Sequence, residues 1–104
     1  MNKLKVIIGK KKDLAQEKTL ESRLRREVTK RKGIYMKWGV NGWPDRVVML
    51  PINRTWFIEV KTEGKEPRKR QAARLRKLHR LGFNTKVLDS EKDYLDLLIE
   101  FDLL

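Results

Sequence analysis

The sequence predicts an α/β fold, one mixed four-stranded sheet flanked by helices, with its elements in the order αβββαβα. Three observations carry this. A helical apolar period near the N-terminus gives way after Gly33 to three short runs with strand-like alternation. A basic helix and one more β-prone run follow, and strand–helix–strand implies a right-handed parallel crossover. A capped amphipathic segment then closes the chain.

Residues 4–8 form a short β-prone run, read as an edge strand or as part of a basic arm over residues 1–12. Over residues 13–31, Leu14, Glu17, Leu20, Glu21, Leu24 and Val28 keep i, i+3, i+4 spacing, and Gly33 supplies the stop. Ile34, Met36 and Trp38 alternate with Tyr35 and Lys37 as in a half-buried strand, broken by Gly39 to Gly42. Arg46 to Leu50 and Thr55 to Lys61 are strands joined by so short a turn that they pair antiparallel. A helix over residues 67–81 carries an apolar stripe of Ala72, Leu75 and Leu78 and ends at Gly82. Phe83 to Leu88 is the fourth strand. Ser90 and Asp93 form the start of a last helix, whose inner face is Tyr94, Leu97, Leu98 and Phe101.

At 104 residues a single domain over 1–104 is expected, with no repeats and no linker. No apolar run approaches the roughly 20 residues of a membrane-spanning helix, so no membrane partner is expected. Residues 6–8 are too short for a signal-peptide core, which makes a cytoplasmic location the expectation. Zero cysteines exclude disulfides and thiolate metal sites, leaving a hard cation on oxygen ligands as the natural metal option. The net charge of +12 is uneven: residues 89–104 carry −5, leaving +17 on residues 1–88. Such a surface suits a phosphate backbone, or is simply a soluble cationic face. Lys10, Lys11 and Lys12 are read as a flexible arm that tracks backbone. Arg68, Lys69, Arg70, Arg74, Arg76, Lys77 and Arg80 lie on the helix that starts just after Lys61 and could place phosphate contacts there.

Pro44-Asp45, followed by Glu59-Val60-Lys61, carries the chemistry. Hydrolysing a phosphodiester requires charge stabilisation at the phosphoryl oxygens and an oriented water. Carboxylates holding Mg²⁺ or Mn²⁺ serve the first need, and a lysine helps with the second. Glu59 and Lys61 are two residues apart on a strand and project the same way, while Trp56, Ile58 and Val60 face the core. Gly42 and Pro44 allow the sharp entry that aims Asp45 outward beside Glu59. The Val60 carbonyl is a further candidate metal ligand. On spacing alone, these residues equally well form surface ion pairs and an ordinary turn.

The stretch Lys37-Trp38, Gly42-Trp43-Pro44-Asp45-Arg46-Val47-Val48, Phe57-Ile58-Glu59-Val60-Lys61 and Gln71 resembles the VRR-NUC family of the PD-(D/E)xK nuclease superfamily. The resemblance continues into Leu78 to Phe83 and Val87 to Ser90, covering about residues 17–90. It implies a restriction-endonuclease-like αβββαβ core, to which this chain adds a C-terminal helix. It also implies that Asp45 and Glu59 are metal ligands for Mg²⁺ or Mn²⁺, Lys61 the catalytic lysine and Gln71 an active-site glutamine. For the first-helix glutamate of that family Glu21 is the best match, sharing a face with Leu24 and Val28, and Glu17 is the rival. Trp43 departs from the smaller aliphatic residue more usual there; it either packs against the loop or stacks on a base or sugar.

The only histidine, His79, sits near a helix end with no partner for a general-base role. Stand-alone members of the family look like Holliday-junction resolvases, which implies a structure-specific DNA endonuclease acting as a homodimer. The segments 4–8 and 103–104 are candidate dimer surfaces. A flap-cutting, nicking or general nuclease with the same site, and a non-cutting basic module, are the alternatives. A compact nuclease of this kind suits a virus or mobile element.

Overall fold

The computed structural model describes the backbone of residues 10–61 and 67–103 and the side chains of residues 19–61 and 67–103. Helix α1 (Lys10–Lys30) leads into β1 (Ile34–Lys37), β2 (Arg46–Leu50) and β3 (Arg54–Val60). Helix α2 (Lys69–Arg80), β4 (Asn84–Leu88) and α3 (Glu91–Phe101) follow. The sheet order is β1-β2-β3-β4, with β1/β2 and β2/β3 antiparallel and β3/β4 parallel. This is the mixed sheet the sequence predicts.

Alternation along the strands divides the core between the two faces. Val48, Leu50, Trp56, Ile58, Val60 and Leu88 pack against Leu20, Leu24 and Val28 of α1 and Tyr94, Leu97 and Phe101 of α3. On the other face Val47 and Phe57 pack against Leu75 and Leu78 of α2, with Met36, Trp38, Trp43 and Val87 around them. Each period-2 strand residue thus has an assigned layer, so Glu59, between Ile58 and Val60, belongs to the α2 face.

Two boundary expectations are corrected. The helix read from residue 13 begins at Lys10, so Lys10, Lys11 and Lys12 form the first turn of α1 rather than an irregular arm. Nothing in their residue types breaks a helix; the first apolar residue was simply a poor marker of its start. The candidate strand at 4–8 lies outside the described residues. The stop of α1 is Lys32, not Gly33. Lys32 is left-handed at φ +65°, and Gly33 and Lys32 donate back to Val28 and Thr29 carbonyls at 3.0 Å each.

Gly33 serves close approach instead. A Cβ there would sit 2.6 Å from the Met49 carbonyl and 2.8 Å from the Leu50 side chain. Gly33→Ala is therefore expected to cost about 1–3 kcal/mol by forcing α1 off the β1–β2 edge, read as a lowered thermal midpoint. An unchanged midpoint would mean that this junction is loosely packed.

At the C-terminal end, Ser90 Oγ accepts the Asp93 N–H at 3.2 Å, the cap read from the sequence. Arg31 anchors α1 to the end of α3 through Asp102, with Nε 2.7 Å from its carboxylate.

Candidate active site

Strand register brings Asp45 and Glu59 together. Arg46 pairs with Ile58 across β2 and β3, so Asp45 stands opposite Glu59 at the next position, on the α2 face. The Trp38 N–H donates to the Asp45 carbonyl at 2.6 Å, which prolongs the β1–β2 ladder to this point. Gly42, at φ +83°, and the buried Pro44 steer the chain into β2.

Glu59 is wholly buried, which for a carboxylate demands partners. One oxygen, Oε1, accepts the Asp45 backbone N–H at 3.1 Å. The other, Oε2, lies 2.9 Å from the Lys61 ammonium. That approach meets its charge without the alignment of a hydrogen bond, so among the described residues Oε2 has no hydrogen-bond donor. Lys61 follows the last residue of β3, and its N–H donates to the Leu88 carbonyl at 2.7 Å, carrying the parallel pairing one residue further. Its side chain is only 23% exposed, so the ion pair is partly shielded from water.

Burial, and then the neighbouring Glu59 charge, push the Asp45 carboxyl up from 3.8 to about 6. Lys61 and the Val60 backbone oppose this without cancelling it. Two acids and one ammonium therefore share a site with a surplus of negative charge.

Glu21 reaches the same end of β2 from α1, but by the other face. Its carboxylate pairs with the Arg46 guanidinium, which also donates to the Tyr35 hydroxyl at 2.8 Å and the Asp45 carbonyl at 3.0 Å. The side chain of Glu17 lies outside the described residues. Among the described residues, no third acid or histidine joins Asp45 and Glu59 in a metal-sized cluster. Arg46 was not singled out from the sequence. The signal was its position next to Asp45, which alternation turns to the opposite face, toward α1.

The bases of α2 overlook this region. Arg68, Lys69, Arg70 and Lys77 are exposed. Arg74 lies with its guanidinium carbon 4.4 Å from the Trp43 ring centre. Gly42, Arg70, Ala73, Arg74 and Lys77 line a groove of about 290 Å³. A side chain at position 42 would bring its Cβ to 3.2 Å from the Arg70 guanidinium, so glycine there keeps the groove open. The side chains of Lys10, Lys11 and Lys12 are not among those described.

No family model matches the chain. A curated relative named "Putative nuclease p44", from Acyrthosiphon pisum secondary endosymbiont phage 1, is 38% identical over 81 residues, covering 75% of this chain and 87% of its own. A solved structure described as "VRR_NUC domain" superposes with a TM-score of 0.72 at 30% identity, over 84% of this chain and 97% of that one. The chain belongs to the VRR_NUC family.

Within this VRR_NUC protein, Gln71 is the third residue of α2 and half-buried. Its side-chain oxygen accepts the Arg68 N–H at 3.3 Å, so it caps the helix that follows β3. Trp43 packs: its ring meets Phe57 and Trp38 with centres 6.1 Å apart, and Arg74 covers it. His79 is exposed, in the last turn of α2. The residues of the VRR_NUC site fit a dication on two grounds. Glu59 Oε2 is a buried oxygen with no aligned hydrogen-bond donor among the described residues, and burial with the Glu59 charge raises the Asp45 carboxyl to about 6, a penalty that a cation relieves.

Proposed function

We propose that this protein is a metal-dependent DNA endonuclease that hydrolyses phosphodiester bonds in branched DNA and acts as a homodimer. The observation that carries the chemistry is the buried Glu59, joined through its two oxygens to the Asp45 backbone and the Lys61 ammonium. A structural ion pair has no need of a second acid opposite it, and burying two carboxylates costs stability unless a cation is to come.

In this reading Asp45 and Glu59, with the Val60 carbonyl as the further candidate, hold Mg²⁺ or Mn²⁺. The ion supplies charge neutralisation at the scissile phosphate and acidifies water. The chain's own residues do the rest. Lys61, 2.9 Å from Glu59, donates hydrogen bonds and orients a water or a phosphoryl oxygen. Asp45 has to lose its proton before it can serve as a ligand. Gln71 fixes the first turn of α2, and Arg70, Arg74 and Lys77 hold the phosphates leading to the site. Glu21 is proposed to act through Arg46, which ties α1 to the carbonyl of Asp45.

A homodimer would supply two sites for the two strands of a symmetric junction. Leu95, Ile99 and Leu103 recur at i, i+4, i+8 along α3 and beyond its end, all exposed, and form one apolar row open to such a contact. The 4–8 segment and Leu104 are not among the described residues. The test is cleavage of a labelled four-way junction, a flap and a linear duplex, each with Mg²⁺, Mn²⁺ and chelator, alongside the solution mass. Paired metal-dependent cuts confined to the junction, by a dimer, are expected. Equal cutting of all three would leave a general nuclease, and a strict monomer would contradict symmetric resolution.

A further inference from the structure

A second cationic groove lies on the other flank of α2. It measures about 510 Å³ and runs between α2 and β4, its floor residue Val87 standing beside Glu59 in the β3–β4 register. Leu75, Thr85 and Val87 line it with Arg76, His79 and Arg80; Lys86 also borders it, but its ammonium is paired with Glu100 of α3. Helical phase explains the division. At 3.6 residues per turn, Arg70, Arg74 and Lys77 share one flank of the Leu75–Leu78 stripe, while Arg76, His79 and Arg80 share the opposite one.

The bases of this flank stand idle in the fold. Arg23, Arg31 and Lys86 are each committed to a carboxylate, at 2.6, 2.7 and 2.7 Å respectively. The side chains of Arg76, His79 and Arg80 make no ion pair, hydrogen bond or ring contact with any described residue. Among the described residues no acid lines the groove. Arg80 is ten residues along α2 from Arg70, about 15 Å at 1.5 Å per residue, or some four base pairs of duplex. That separation is too large for one phosphate contact and suits a separate length of backbone.

We infer that the α2–β4 groove is a second seat for nucleic-acid backbone, holding the arm of a branched substrate that lies beyond the strand being cut. The branched shape of that substrate rests on the function proposed above. The seat itself rests on the groove and on Arg76 and Arg80, which have no side-chain partner among the described residues. One helix then separates two backbones, the cut strand on its Arg70–Arg74–Lys77 flank and the second arm on its Arg76–Arg80 flank.

The test is binding, in chelator, of a labelled four-way junction and a linear duplex by the wild type and by R76E/R80E. Both substitutions are on exposed positions, and thermal melting confirms that the variant is folded. Junction affinity should fall at least about tenfold and its log–log salt slope by about 2, while linear duplex binding changes by less than about threefold. The neutral R76Q/R80Q variant should show a smaller loss of the same selectivity. An equal loss on both substrates, or no loss on either, would overturn the inference. Because no cutting is involved, a wild type that never cleaves yet shows the junction-selective loss would sink the nuclease reading and leave the groove standing.

Discussion

Lys61→Met is expected to do two things at once: to lower DNA cleavage by about a thousandfold and to destabilise the fold. The first follows from the loss of the one ammonium beside the acids, within the usual range for a group that orients or protonates a reacting species. The second follows from burial. Glu59 is 0% exposed, and stripping a buried charge of its partner costs about 3–5 kcal/mol when no water can replace it. Lys61 is itself 23% exposed, so the lower end of that range, about 3 kcal/mol, is expected at pH 8. Without the ammonium, Asp45 loses the main charge opposing its upward shift, so the penalty shrinks on acidification. Lys61→Met combined with Glu59→Gln should recover most of the stability and none of the activity. Urea unfolding of the three variants at pH 8 and pH 5.5 checks this. A Lys61→Met protein as stable as wild type at pH 8 would show that the buried pair is not what holds Glu59.

The second large effect is in pH. Asp45 titrates at about 6 in the folded chain against 3.8 when free, so the native state binds more protons between those values. Stability from this group is therefore full below about pH 4, falls as pH rises toward 6, and stays low above it. A shift of about two units is worth at most about 3 kcal/mol; for a half-buried group, about 1–2 kcal/mol is the realistic cost. Asp45→Asn should therefore stabilise the metal-free protein by that amount at neutral pH, while abolishing cleavage. Adding Mg²⁺ should raise the thermal midpoint of the wild type and leave that of the variant unmoved. Cleavage by the wild type should rise about tenfold per pH unit below 6 and level off above 7, because only the ionised carboxylate holds a dication. A flat profile from pH 5 to 8 would remove Asp45 from the metal-binding set.

Much of this was legible in the chain, for identifiable reasons. The Glu59–Lys61 spacing fixes a shared face in any strand, and the short turn at 51–53 fixes which residue of β2 stands opposite. Trp56, Ile58 and Val60 could be assigned to the core because alternation leaves them no other side. What escaped depends on contacts distant in sequence. Glu21 reads correctly as inward-facing, but its partner Arg46 lies on another element, and no helical period reveals that pairing. Gly33 reads as a helix stop because glycine so often is one. The approach of Met49 that requires it becomes visible only once β2 is in place. The two flanks of α2 follow from its phase, but that the outer one faces a groove follows from the position of β4 at the edge of the sheet.

The most direct measurement is Mg²⁺-dependent cleavage of a labelled four-way junction by chelator-dialysed wild type and Asp45→Asn, with binding followed in parallel. The account predicts cutting by the wild type that saturates with Mg²⁺ and is absent in chelator. It also predicts a variant that binds the junction normally and cuts at least about a thousandfold more slowly at every metal concentration. Cutting by Asp45→Asn at the wild-type rate, or by the wild type in chelator, would contradict it.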